Sequence, residues 1–342
     1  MKKNKKIENA KTIQKRKEEY YIKKMNIYFK NEYVFILKSI LIILFLMFLC
    51  IIYKKCFRKS EFTEIDFVYV GEGNGAVIKT KSGKNILIDT GEGFGKKYEH
   101  GFKTFMPYIL NTKSKNIYRM YLSHLDSDHA GGGIYISKFL NVKNIFIPYI
   151  EKSILEKDKI YKELKKVAKE KDIRLNKIHA GFSERIDEIK IDVLWPNKSK
   201  LIEKNKMNNN SIVMMLNIYG YKILFTGDIE KEAEKELAKM YKNSLKADIL
   251  VVPHHGSKTS SSEEFLKCVK PDYAICSLGK DNMFKHPNDE IVERYKKYNI
   301  KFLRTDENGC IKLKVYKDKF MIESFKTKLK NSFSFKKNIN KI

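Results

Sequence analysis

The chain has 342 residues, 43% hydrophobic, 12% aromatic and 32% charged, enough apolar side chains for a sizeable core and too many for global disorder or a collagen-like chain. Its length suits one large domain with tails or two ordinary domains. Of the formal charge of +28, residues 1–59 hold 16 Lys/Arg against 4 Glu and residues 326–342 hold 6 Lys and no acid, leaving +10 between them. Such a body attracts polyanions in a salt-dependent way. The codon bias of an AT-rich genome accounts for the same lysines, so charge alone names no partner.

Residues 1–32 read as a basic arm, helical or irregular, suited to an anionic leaflet. Residues 33–53, YVFILKSILIILFLMFLCIIY, span about 30 Å as a helix, the thickness of the hydrocarbon core of a bilayer. Lys38 is their one charge and lies near enough to an end to snorkel. A cleaved signal peptide would have a short leader and small residues at its end, whereas a long arm precedes this segment and Lys54-Lys55 follow. An uncleaved anchor is expected. The 11 basic residues before it and Lys54, Lys55, Arg58 and Lys59 behind it favour a cytoplasmic N-terminus and a large domain outside the cytoplasm.

After a linker at 54–63, residues 64–325 alternate strand and helix. β-rich runs are expected at 65–70, 86–89, 117–122, 143–148, 189–194, 211–217, 221–226, 247–252 and 272–277. Helices are expected over 151–170, 229–242, 261–269 and 288–297. Residues 326–342 form a basic tail. Cys50, Cys56, Cys268, Cys276 and Cys310 include no CxxC pair, which argues against a disulfide framework or a cysteine zinc site.

Candidate chemistry gathers where apolar runs end. His124, Asp126, Asp128 and His129 lie in Ser123-His-Leu-Asp-Ser-Asp-His129 directly behind the strand IYRMYL, a density of ligands that is costly to arrange without a cation. A loop is expected to hold them, with Gly131-Gly132-Gly133 turning the chain into the next helix. Asp89 closes ILID, Asp228 follows YKILFTG and His254-His255 close ILVVP. A carboxylate such as Asp228 can bridge two cations.

HLDSDH, FTGD and VVPHHGS, in this order and with ILIDTG upstream, resemble the metallo-β-lactamase fold, specifically the hydrolase domain of ComEC-type DNA-internalisation competence proteins. The likeness runs from about Phe67 to Lys314 and includes VGEGNGA at 70–76, NNNS at 208–211, HPN at 286–288 and RTDENGCIKL at 304–313. It implies an α/β architecture, the αββα four-layer sandwich, preceded here by one transmembrane helix. It further implies one or two divalent ions, Zn or Mn: His124 and Asp126 at one site, Asp128 and His129 at the other, Asp228 bridging, and His254 completing the shell. His255 is then expected on substrate, Asp128 orienting a metal-activated water, and Asn210, Ser211, Ser257 and His286 contacting substrate.

Two departures stand out. Asp126 replaces the second His of HxHxDH, an oxygen-richer site that tilts toward Mn or a labile Zn, and Asn74 stands where the competence group has Asp. His179 is the one candidate for the family's intervening His. A single apolar segment forms no channel, so the expected role is a membrane-anchored phosphodiesterase or nuclease acting on nucleic acid. The alternatives are a wall-polymer or lipid head-group phosphodiesterase and a non-catalytic DNA- or partner-binding membrane protein.

Overall fold

The computed structural model describes residues 2–57, 60–93, 100–112, 115–325 and 333–336. Arg58 and Lys59, counted above as basic flank, and residues 326–332 and 337–342 of the tail lie outside them. The chain divides into two units, Met1–Lys59 and Ser60–Ile342.

The first unit is one helix, Lys2–Phe57, so the basic arm and the apolar segment share a continuous hydrogen-bonded backbone. Within Lys15–Ile51 an 18-residue window has a mean hydropathy of 3.0 and none of it is buried. Phe35, Leu41 and Phe45 are more than half exposed. A helix apolar on all sides is made for a nonpolar surround, where its internal hydrogen bonds satisfy the backbone.

The second unit is the expected sandwich. Its first sheet runs in the order Phe333–Lys336, Lys319–Ser324, Ile311–Val315, Thr63–Phe67, Gly75–Lys79, Asn85–Thr90, Asn116–Tyr121, Asn144–Pro148 and Arg174–Ile178. The second runs Lys301–Arg304, Tyr273–Cys276, Ile249–Val251, Tyr221–Phe225, Val213–Ile218, Ile189–Trp195 and Ser183–Ile186. Side chains alternate across each strand. In Val213–Ile218, for example, Met214, Leu216 and Ile218 enter the core between the sheets, while Val213 and Met215 enter a core under the helices Lys231–Tyr241, Glu263–Val269 and Asp289–Lys297. Leu87, Met120 and Ile145 of the first sheet likewise pack under Ser127–Phe139 and Lys159–Glu170. Strands buried on both faces read as continuous apolar runs, which is why these were legible in the sequence.

Three expectations are corrected. The stretch 151–170 is two helices, Lys152–Leu155 and Lys159–Glu170, because Asp158 caps the second by accepting from the Tyr161 N–H at 2.7 Å. The HLDSDH motif is only half loop: Asp126 is the N-cap of Ser127–Phe139, so Asp128 and His129 sit in its first turn. The triple glycine lies inside that helix rather than before it. A Cβ on Gly132 would stand 2.3 Å from the Thr90 carbonyl oxygen, so the helix can lie against the strand end only with glycine there.

Asn85–Thr90, Asn116–Tyr121, Asn144–Pro148 and Arg174–Ile178 run parallel, as do Tyr221–Phe225, Ile249–Val251, Tyr273–Cys276 and Lys301–Arg304. The carboxyl ends of the strands in each set therefore share one edge, the position where open α/β sheets place ligands.

Candidate metal centre

At that edge Asp128, His129, Asp228 and His255 turn one ligand atom each toward a common point, all within 4.8 Å of one another. Two come from the first turn of Ser127–Phe139, one follows Tyr221–Phe225 and one follows Ile249–Val251. Nε2 of His129 is 3.1 Å from Asp228 Oδ1 and 3.7 Å from Asp128 Oδ2; Nε2 of His255 is 3.3 Å from Asp128 Oδ2 and 3.4 Å from Asp228 Oδ2. A tetrahedral cation with ligand bonds near 2.1 Å sets its ligands about 3.4 Å apart, and these spacings bracket that value.

Hydrogen bonds behind the cluster fix which ring nitrogen faces it. Asp89 accepts from the Ser123 N–H, the Ser123 hydroxyl and His129 Nδ1 at 2.7, 2.8 and 2.9 Å. His255 Nδ1 donates to the Ser277 carbonyl at 2.7 Å. Both Nδ1 atoms are thus committed as donors, and in the neutral rings both Nε2 atoms present lone pairs. These lone pairs face each other at 3.1 Å beside two carboxylates. Such an arrangement repels itself unless a cation or a proton lies in the middle.

A second, looser set adjoins the first. His124 is fully buried, its Nδ1 lies 3.1 Å from the Ser123 hydroxyl, and its Nε2 has no hydrogen-bond partner. That orphaned atom is 3.6 Å from Asp126 Oδ2 and 3.9 Å from Asp228 Oδ2. Asp228 lies between the two sets, its Oδ1 3.1 Å from His129 and its Oδ2 3.4 Å from His255 and 3.9 Å from His124, so this carboxylate could serve ions in both. The residues present fit divalent cations: imidazole and carboxylate donors suit Zn and Mn, and a buried unsatisfied imidazole is otherwise unexplained.

The electrostatics agree. Burial pushes the Glu92 carboxyl up, and the charges of Asp128 and Glu72 take it further, to about 7. Burial pushes the His255 imidazolium down, but the Asp228 charge and hydrogen bonds to Asp128 and Asp228 outweigh it and lift it to about 10. His129 is raised in the same way by Asp228, Asp89 and Asp128 against burial. Two N–H groups cannot point at each other across 3.1 Å, so the ion-free pair holds one proton between its Nε2 atoms. A cation must displace that proton, which is held at every pH below the raised value. Apparent metal affinity is therefore expected to rise about tenfold per pH unit between about pH 6 and 9. Calorimetric titration in two buffers of different ionisation enthalpy should show about one proton released per ion at pH 7; no release contradicts the coupling.

The sequence led to His254 in the metal shell and His255 on substrate, whereas the tighter cluster holds His255. The turn Pro253–Gly256 holds His254 and His255 in successive left-handed conformations, φ 50° and 53°, which sends the side chains apart. His255 enters the cluster. His254 stands at the pocket wall, its Nε2 3.4 Å from Asn208 Nδ2 and 3.9 Å from Asp228 Oδ2. His286 also lines the pocket, with Glu72, Asp126, Asn282 and Phe284.

The other expected substrate contacts are not in the pocket. Asn210 is fully buried and clamps its own loop, donating to the Ile202 and Lys206 carbonyls and accepting from the Ile202 N–H. Ser211 lies behind Asp228, whose N–H donates to its hydroxyl at 3.3 Å. Ser257 closes the histidine turn through its N–H to the His254 carbonyl and pairs with Thr259. His179 packs edge-on against Tyr149 and is not in the cluster. Asn208, from the same NNNS run, is the asparagine that reaches the pocket. Asp89 and Ser123 were visible as strand-end residues, but their roles as holders depend on contacts between distant segments.

Gly73, in VGEGNGA, touches the site from outside. Its φ is +104° and a Cβ would stand 1.9 Å from the Asp128 carbonyl oxygen, which also accepts from the Asn74 N–H at 3.2 Å. Gly73→Ala is expected to displace Asp128 and weaken metal binding by on the order of 10- to 100-fold, as loss of support behind a ligand does. Metal titration of the variant checks this, and unchanged affinity contradicts it.

Residues 68–280, more than half of the chain, match the model of the metallo-beta-lactamase superfamily. The chain belongs to that superfamily. Its relatives bear out the resemblance read from the motifs. ComE operon protein 3 of Bacillus subtilis is 32% identical over 80% of this chain and 35% of its own length. Competence protein ComA of Neisseria gonorrhoeae is 29% identical over 70% of this chain and 30% of its own. Recombination protein 2 of Haemophilus influenzae is 29% identical over 87% and 34%. The chain thus spans about a third of the length of these relatives. As a metallo-beta-lactamase-fold chain with a cluster of His and Asp at the expected edge, it has the architecture of a metal-dependent hydrolase.

Proposed function

We propose that this protein is a membrane-anchored, metal-dependent phosphodiesterase that cleaves DNA on the outer side of the cytoplasmic membrane. The observation that carries the reading is the convergence of His129 Nε2, His255 Nε2, Asp128 and Asp228 at an open pocket, every imidazole with its Nδ1 already committed. A divalent ion held there supplies a Lewis acid and lowers the pKa of water toward neutrality.

The chain's own residues supply the rest. Asp128 reaches the pocket with its side chain one-third exposed, placed to accept a hydrogen bond from an attacking water and aim it. Asn208 offers N–H groups at the pocket wall beside His254, where a phosphoryl oxygen can accept one. Asp89 and Ser123 keep His129 and His124 in the ligating tautomer, so no reorganisation is needed when charge develops. DNA as the polyanion is supported by relatives named for competence and recombination and by the basic body. Among the described residues the pocket lining holds one phenyl ring, Phe284, where a choline-like head group would favour several aromatic faces. The helix at Lys15–Ile51 and the excess of basic residues before it support the anchor and its orientation.

The test is cleavage of single-stranded DNA by the full-length chain in detergent, after chelation and again after Mn or Zn is restored, with Asp128→Ala alongside. Metal-dependent cleavage that is lost in the variant is expected. Cleavage that survives chelation, or that Asp128→Ala retains in full, overturns the reading.

A further inference from the structure

The mouth of the pocket carries an apolar pair that the metal chemistry does not use. Met283 is 79% exposed and Phe284 64%, unusual for large apolar side chains in a loop that is otherwise polar. The loop holds them in place. The Asn282 amide donates to the Gly279 carbonyl at 3.1 Å and the His286 carbonyl at 2.7 Å, and accepts from the His286 N–H at 2.9 Å. From outside, Glu72 accepts from the Met283 N–H at 3.2 Å and the Tyr69 hydroxyl accepts from the Lys280 N–H at 3.3 Å. A loop clamped through one side chain and tied at two more points pays its ordering entropy on folding, not on binding.

Phe284 is stacked on His286, with ring centroids 5.8 Å apart and planes inclined by 21°. His286 in turn meets His254 edge-on at 6.0 Å, and His254 borders Asp228. A row of rings therefore leads from solvent to the metal centre, and it begins with an aromatic ring that is mostly exposed. Lys280 and Lys285 precede and follow it in the chain and are exposed, as is Asp281. A flat apolar ring flanked by cations, one step from a phosphate-cleaving centre, matches a nucleotide: base on the ring, phosphodiester toward the metal ligands, neighbouring phosphates near the lysines.

We propose that Phe284 is a nucleobase platform and that the segment Gly279–His286 makes the protein selective for single-stranded nucleic acid, whose bases are free to leave the stack and lie on the ring. This rests on the phosphodiesterase reading above and adds its substrate class. Stacking is sequence-tolerant because every base has a π-face, so preference for unpaired strands without strong preference among bases follows.

The test compares the full-length wild type with Phe284→Ala and Phe284→Trp on two substrates of equal length, an oligothymidylate and an abasic deoxyribose-phosphate strand. Because Phe284 is largely exposed, neither change threatens the fold. The wild type should cleave the base-bearing strand with higher kcat/KM than the abasic one. Phe284→Ala should lower kcat/KM on oligothymidylate by about 5- to 150-fold, the range that loss of one base–aromatic stack covers, mainly through KM, and leave the abasic strand within about twofold. Phe284→Trp should retain the preference. Equal losses on both strands, or no loss on either, overturn the platform. If the wild type cleaves neither strand, the phosphodiesterase reading fails by itself. The platform is then decided by fluorescence anisotropy of the same two strands, where binding that favours bases and is lost in Phe284→Ala supports it and equal binding overturns it.

Discussion

Asp228→Ala is expected to remove metal from both ligand sets and to lower hydrolysis on the order of 10³-fold or more. The carboxylate stands beside both, Oδ1 lying 3.1 Å from His129 and Oδ2 3.4 Å from His255 and 3.9 Å from His124. Its own pKa shows how strongly the site favours its charge: burial would raise it, yet His129 and His255 hold it well below the ordinary value. Without it, the tighter set keeps only His129, His255 and Asp128 and loses one of its two carboxylate charges, so an ion is held more weakly there. The fold should survive, because the strand before it is set by Tyr221, Ile223 and Phe225 in the inter-sheet core rather than by the carboxylate. Metal content after dialysis and the hydrolysis rate, read on the same sample, check both halves. A variant that keeps its metal and its rate sinks the bridging role.

The second large effect separates two neighbours. His255→Ala is expected to weaken the tighter metal site on the order of 100-fold or more, since even loss of a group behind a ligand costs 10- to 100-fold. His254→Ala should leave metal affinity within a few-fold and act on substrate instead. The distinction follows from the left-handed turn that points His255 Nε2 at Asp128 and Asp228 and leaves His254 beside Asn208. Parallel metal titrations decide it: if His254→Ala loses the metal and His255→Ala keeps it, the assignment is reversed.

Central strands such as Asn85–Thr90, Val213–Ile218 and Ile249–Val251 were legible because they are buried on both faces, whereas the half-exposed Arg174–Ile178, Ser183–Ile186 and Lys301–Arg304 were not read. IDFVYV, YKILFT and ADILVV announce themselves as apolar runs, and the polar residues behind them could be read as the site edge. The start of helix Ser127–Phe139 was not legible: a helix was expected only after the glycines, and it begins before them. Its glycines argue against one, each costing about 1 kcal/mol relative to Ala, and only the approach to Thr90 explains why they are tolerated. The order of His254 and His255 could not be read from spacing either. It is set by a backbone conformation that side chains seldom adopt, held by His255 Nδ1 donating to the Ser277 carbonyl and by the Asn288 N–H donating to the Gly256 carbonyl, both far along the chain. Asn210 was misplaced for a related reason. In NNNS every asparagine looks alike, and only the loop's hydrogen bonds decide that Asn210 is clamped inward while Asn208 faces the pocket.

The most direct test of the metal centre as the seat of hydrolysis is a coupled titration. Full-length protein in detergent, stripped by chelation, receives Mn in steps while bound metal and cleavage of single-stranded DNA are followed together. Cleavage should be absent at the start, and no ion-free sample should cleave. It should then rise with occupancy of the set made by Asp128, His129, Asp228 and His255, and saturate as the looser set with His124 and Asp126 fills. Full cleavage before metal is added, or full occupancy with no cleavage, would contradict it.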